Sequence, residues 1–206
     1  MMGLATGGKK AALRVRGLDC YESPSEAVHA LMENESLPRR IWEPACGPGA
    51  IVKVLRAAGH IVEASDLSDY GCPDSQARID FLMEHAIPSE TTTIITNPPY
   101  MIANAFTWHA LQLVPRVYML LPLAFLEGGQ RDWRRDRLLE DGHLARVLLF
   151  RERLPMMHRH GWEGPHSTSS RAYAWFCWDR AYQGPIITKR ISRHPLRSGA
   201  PKAKSA

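Results

Sequence analysis

Hydrophobic and polar positions alternate between two periods along this chain. Short apolar runs of strand length are separated by stretches in which apolar residues recur at helical spacing. Strands are predicted at Ile41–Glu43, His60–Ser65, Thr91–Thr96, Arg116–Leu121, Ala145–Phe150 and Ala172–Trp178. Between them, Ile51, Val52, Val54, Leu55 and Ala58 mark one buried helical face, closed by Gly59. Residues 103–114 and 131–140 mark two more helices. Ahead of all these, Ser23-Pro24-Ser25-Glu26 reads as a capping box with proline in the first turn, leading into Ala27, Val28, Ala30 and Leu31. Strands alternating with helices predict a doubly wound α/β sheet whose ligand crevice lies at the strand carboxyl ends.

Two junctions carry chemistry. In the first, Ile41-Trp42-Glu43 runs into Pro44-Ala45-Cys46-Gly47-Pro48-Gly49 and then a helix. Glycines in such a loop let backbone approach a ligand, and the helix that follows directs free N–H groups and its positive dipole end at an anionic group. The next strand ends in Asp66, about 20 residues on, where a carboxylate can accept from ribose hydroxyls. A nicotinamide dehydrogenase places a similar acid, but its usual loop has three glycines, and Ala45 stands where the first belongs. The second junction is Asn97-Pro98-Pro99-Tyr100, after a β-branched strand. Two prolines end ladder pairing and block helix entry, leaving an amide acceptor and an aromatic face on a stiff corner. That pairing suits a planar group with an exocyclic amine, and it also suits a plain strand-terminating turn.

At these residues the chain resembles the S-adenosylmethionine-dependent amino methyltransferases, specifically DNA N6-adenine enzymes of the Asn-Pro-Pro-Tyr type. The resemblance runs in chain order from residue 19 to 100. Asp19-Cys20-Tyr21-Glu22-Ser23-Pro24 is similar to the opening block that lines the cofactor pocket, with Ser23 in place of the commoner threonine. The resemblance implies cofactor contacts from Tyr21, Ser23 and Pro24, from the loop residues Glu43, Pro44, Ala45, Cys46, Gly47 and Gly49, and from Asp66. Asp80 and Phe81, in Ile79-Asp80-Phe81-Leu82, would supply an acid to the cofactor's adenine amine and an apolar face to its ring; a strand end with a core Phe and a helix-capping Asp explains the same pair. Asn97, Pro98, Pro99 and Tyr100 would form the catalytic corner. The implied fold is a mainly parallel, seven-stranded Rossmann-like methyltransferase sheet with its last strand antiparallel. The implied reaction is direct methyl transfer to N6 of adenine in DNA, the base being displaced if the substrate is duplex. RNA adenine methylation and protein glutamine methylation use the same corner. A nucleic-acid-binding protein with a degenerate methyltransferase fold is the alternative that is not an enzyme.

Composition refines this picture. With 206 residues, 45% of them hydrophobic, the chain builds one core, so residues 19–188 are expected to form a single methyltransferase domain after a flexible stretch at 1–18. The net charge of +5 is uneven. Residues 189–206 hold Lys189, Arg190, Arg193, Arg197, Lys202 and Lys204 and no acid, which leaves residues 1–188 at −1. This segment reads as a disordered basic tail attracted to polyanions, or else as a solubilising extension. Arg131, Arg134, Arg135 and Arg137, interrupted by Asp132 and Asp136 around Trp133, form a mixed helical face. Nucleic acid, DNA first, is the expected partner.

No apolar run has transmembrane length and no signal-peptide core is evident, so a cytoplasmic protein without membrane contact is expected. Cys20, Cys46, Cys72 and Cys177 lack paired ligand spacing and read as reduced thiols. His158, His160 and His166 share a glycine-containing stretch with Trp162, which reads as a nucleic-acid-facing loop and not as a metal site.

Overall fold

A computed structural model describes residues 22–127, 133–141, 143–156 and 169–194. Tyr21, Cys20, Arg131, Asp132, the histidine-containing stretch 157–168 and the basic residues Arg197, Lys202 and Lys204 lie outside the described residues.

Eight strands form one sheet: β1 Arg40–Glu43, β2 Ile61–Asp66, β3 Ser75–Ala77, β4 Thr93–Thr96, β5 Arg116–Pro122, β6 Leu144–Phe150, β7 Tyr173–Asp179 and β8 Ile187–Ile191. Their order is β3-β2-β1-β4-β5-β7-β6-β8. All pairings are parallel except those of β7, which runs antiparallel between β5 and β6. Four α-helices, α1 Ser25–Asn34, α2 Ala50–Ala57, α3 Ala103–Leu113 and α4 Trp133–Glu140, and three short 3₁₀ turns complete the described elements. The fold is thus the mainly parallel α/β sheet that the alternation implies, with the seventh strand antiparallel.

Period-two alternation on β7 shows how one strand serves two cores. Tyr173, Trp175 and Cys177 join the α1–α2 side, whereas Ala174, Phe176 and Trp178 join the α3–α4 side. Each buried indole finds an acceptor on the helix it meets. Trp175 Nε1 donates to the Ala27 carbonyl at 2.8 Å and Trp178 Nε1 to the Leu138 carbonyl at 2.9 Å. Helix α2 ends in a Schellman motif: Gly59 N–H donates to the Arg56 carbonyl, His60 N–H donates to that of Leu55, and Gly59 has φ +92°.

The sheet departs from the sequence expectation in four places. It has eight strands and not seven. The basic run taken as a tail from residue 189 begins inside a strand, because Lys189 and Arg190 pair with Leu148 and Leu149 of β6 and only Ile191 of β8 is buried. Residues 79–82 are not a strand: Asp80 accepts from Leu82 N–H at 3.1 Å and caps a short 3₁₀ turn. The capping box does not form either. Helix α1 starts at Ser25, and Pro24 occupies the cap with no side-chain bond, its carbonyl accepting from Ala27 N–H at 3.0 Å. Ser23 is buried instead.

Candidate active site

Strand order reverses between β1 and β4, and a cleft opens there at the strand carboxyl ends, as the geometry of an open α/β sheet requires. It encloses about 930 Å³ of non-protein space, its open mouth included. Of the residues singled out from sequence, Ser23, Pro44, Ala45, Cys46, Gly47, Asp66, Asp80, Phe81, Asn97 and Pro99 line it. Pro24, Glu43, Gly49, Pro98 and Tyr100 do not.

Asp66 organises the cleft. Its Oδ2 accepts from Gly47 N–H at 2.9 Å and its Oδ1 from Ser68 N–H at 3.0 Å. One carboxylate thereby staples the glycine loop to the turn after β2. Each oxygen keeps a lone pair for a further donor in the cleft. Asp80 uses one oxygen on its own turn, which likewise leaves acceptor capacity. Behind it Phe81 is buried, 5.2 Å from Trp42 and 4.3 Å from Phe106 between ring centroids. Its cap and its core packing answer to the structural explanation of this pair, yet both residues also border the cleft.

The two loop glycines have different reasons. Gly47 has φ +52° and faces the cleft. Gly49 has φ +88°, and a Cβ there would lie 2.6 Å from Cys72 Sγ, so its close neighbour is the protein itself. Gly49→Ala is expected to cost about 2–4 kcal/mol, combining left-handed strain with overpacking. Adding Cys72→Ala removes the clash and leaves the strain, so the double variant should recover part of the loss in urea unfolding. Strict additivity of the two substitutions would sink this account.

Glu43 lies fully buried at the end of β1, beneath the loop. Burial pushes its carboxyl well above the ordinary value of 4.5, and Thr96 and Ala45 offset this only in part. Thr96 and the Ala45 backbone approach its oxygens, but neither completes a well-formed hydrogen bond. Above pH 4.5 an unfolded chain releases this proton while the folded chain keeps it, so stability falls as pH rises until the raised folded value is passed. The slope in that window reaches about 1.4 kcal/mol per pH unit. Glu43→Gln should abolish this contribution, so that the variant gains on the parent as pH rises above about 4.5. Denaturant unfolding at several pH values measures the difference, and parallel curves would refute it. Burial, followed by the nearby Glu43, also pushes the Cys46 thiol up, so it is not a thiolate at neutral pH and packs as a small side chain.

At the other wall, Asn97 follows β4 and Pro98 is buried. Tyr100 is half-buried beside the cleft, its ring centroid 6.0 Å from that of Tyr173 at the start of β7. Leu67, Ser68, Tyr70, Ile102 and Phe106 also line the cleft and were not singled out from sequence. They lie in turns or on a helix start, where no spacing marks them. Among the described residues no cluster of metal-ligating side chains occurs, and no helix is long and apolar enough to cross a membrane.

No protein-family model and no curated protein matches this chain. Solved structures do. One is a provisionally assigned class I S-adenosylmethionine-dependent methyltransferase from Listeria monocytogenes, 12% identical over 82% of this chain and 65% of that one, with a TM-score of 0.57. A second is a modification subunit of a provisionally assigned type I restriction enzyme from Vibrio vulnificus, 14% identical over 89% and 49%, at 0.54. A third is a provisionally assigned RNA methyltransferase from Pyrococcus horikoshii, 14% identical over 79% and 88%, at 0.55. The chain spans just under two thirds of the Listeria protein and about half of the Vibrio subunit. The likeness defines the fold class: a Rossmann-like class I methyltransferase fold.

Proposed function

We propose that the chain is an S-adenosylmethionine-dependent N-methyltransferase acting on an exocyclic amine of a nucleic acid, most directly N6 of adenine in DNA. One observation carries this reading: the glycine loop with its Asp66 staple and the Asn97 corner open into a single cleft at the switch point of the sheet. The residues fit such a cofactor. Asp66 and Asp80 offer acceptors at the cleft edge, Ile51, Phe81 and Phe106 offer an apolar wall, and the backbone turns sharply at Gly47. In this reading Asp66 accepts from ribose hydroxyls, Asp80 from an adenine amine, and Phe81 faces the adenine ring. Ser23 and Pro44 to Gly47 hold the amino-acid end. Tyr21 and Pro24 complete the entry block, with Glu43 and Gly49 supporting the loop from beneath.

When bound, S-adenosylmethionine supplies an electrophilic methyl group on a sulfonium sulfur. The chain's part is to present the acceptor. Asn97 Oδ1 and the Pro98 carbonyl accept from the substrate amine and draw its lone pair out of conjugation, Pro99 fixes the corner, and Tyr100 stacks on the ring. Direct attack by an amine needs no thiolate, which agrees with the neutral Cys46. Nucleic acid as the substrate class is supported by the basic balance of the chain and by the names of the Vibrio and Pyrococcus neighbours. Incubation with the cofactor and separate unmethylated DNA, RNA and protein, followed by nucleoside and amino-acid mass spectrometry, tests the proposal. N6-methyladenine in DNA is the expected product. Its absence, with methylglutamine or methylated RNA appearing instead, would replace the substrate.

A further inference from the structure

Strand direction places a set of arginines beside the acceptor corner. Because β4, β5, β6 and β8 are parallel and β7 is antiparallel, the carboxyl ends of the first four and the amino end of β7 share one edge of the sheet. Asn97 leaves that edge after β4. Arg151 and Arg153 leave it after β6, and Arg171 reaches it just before β7. Neighbouring strands lie about 4.8 Å apart, so β7 and β6 end roughly 10 and 14 Å along the edge from β4. All three arginines are exposed, and none forms an ion pair among the described residues.

The segments that carry them are held together. Arg151 N–H donates to the Ile191 carbonyl at 2.9 Å, Ser169 N–H to that of Leu154 at 2.9 Å, and Leu123 N–H to that of Ala172 at 2.8 Å. Arg171 lies two residues before Tyr173, whose ring meets Tyr100. Among the described residues, two acids lie on the same stretch of edge. Glu152 is already engaged, accepting from Ser192 Oγ at 3.0 Å and Arg193 N–H at 3.2 Å with the charge of Arg151 also favouring its ionised form, and Glu127 is exposed after β5. Along the edge from β5 to β8, these three arginines therefore face two described acids, one of them already engaged.

We propose that Arg151, Arg153 and Arg171 form a phosphate-contacting surface that holds the nucleic-acid strand whose base enters the Asn97 corner. The surface rests on the methyltransferase reading for its ligand, and it carries the strand by backbone charge without reading bases. Exposed guanidiniums suit phosphate oxygens, which they meet in a bidentate geometry. Their distance from Asn97 fits the phosphates flanking a captured nucleotide.

The test compares two charge-matched variants. Arg151→Gln with Arg171→Gln removes two cations from the corner's edge. Arg39→Gln with Arg180→Gln removes two exposed cations from the opposite edge, before β1 and after β7. Binding of a fluorescent single-stranded oligodeoxynucleotide is followed by anisotropy across a salt titration, with thermal melting to verify folding. The first pair should make the slope of log affinity against log salt shallower by about 1.4, and the second pair should leave it nearly unchanged. Equal effects from both pairs would mean general attraction to a basic protein and overturn the proposal, as would an unaltered slope for the first pair. Loss of poly-glutamate binding with DNA binding kept would give the surface to an acidic polypeptide and also overturn it. Calorimetry with S-adenosylmethionine reports separately: a shallower slope in a protein that binds no cofactor upholds the surface and removes the enzyme.

Discussion

Asn97→Ala is expected to lower turnover by roughly 10²-fold or more while leaving cofactor affinity within about twofold, because the lost acceptor acts most strongly as charge develops on the amine. The corner's geometry makes the split informative. Asn97 stands between a strand whose residues Thr93–Thr96 are buried and a proline pair of which Pro98 is buried, so truncating its side chain leaves the backbone where it is. Asp66 and Gly47 line the same cleft on other segments. Single-turnover assays with pre-bound cofactor separate the two quantities. Near-parental turnover would take Asn97 out of the mechanism, and a parallel loss of cofactor affinity would mean that the substitution had disturbed the cleft.

Asp66→Ala should produce the opposite pattern, with a structural component that the sequence alone does not suggest. The cofactor loses a hydroxyl acceptor, and Gly47 and Ser68 lose the carboxylate that receives their amides. Affinity for S-adenosylmethionine should weaken by about 1.5–3 kcal/mol, as for a hydrogen bond to a charged group. Asp66→Asn is the sharper control. It preserves volume and one carbonyl acceptor but turns an NH₂ group toward an N–H donor, so it should also bind the cofactor more weakly. Calorimetry on both variants decides. An unchanged dissociation constant in each would leave Asp66 with only its role as a staple between two turns.

Much of the fold was legible because its central strands are buried on both faces and therefore stand out as apolar runs. The runs at 116–121, 145–150 and 172–178 fall within or beside β5, β6 and β7, and the strand–loop–helix unit around the glycines is present. The edges were not legible. Ser75–Ala77 has three small or polar residues at the margin of the sheet and no periodicity to detect. Four of the five residues of Ile187–Ile191 are exposed, so its lysine and arginine look like solvated tail. Such charged, short edge strands discourage pairing with other chains, and the same chemistry hides them from pattern reading. In the cleft, Asp66 and Asn97 were visible because each ends a β-rich run. Tyr70 and Phe106 were not, since their place in the lining depends on how a turn and a helix start fold back over it.

The position of β7 in the sheet also orders events during synthesis. Strand β6 has no hydrogen-bonded contact with β5; each pairs with β7 alone on that side, through residues 173–179. When the ribosome has synthesised the chain through residue 150, the glycine loop and the Asn97 corner already exist, but β5 presents an open, apolar margin and β6 has nowhere to dock. The sheet closes only when a strand made later threads between two made earlier. Until then the nascent protein carries the kind of unsatisfied apolar edge that chaperones bind, and its final assembly waits for residues 173–179.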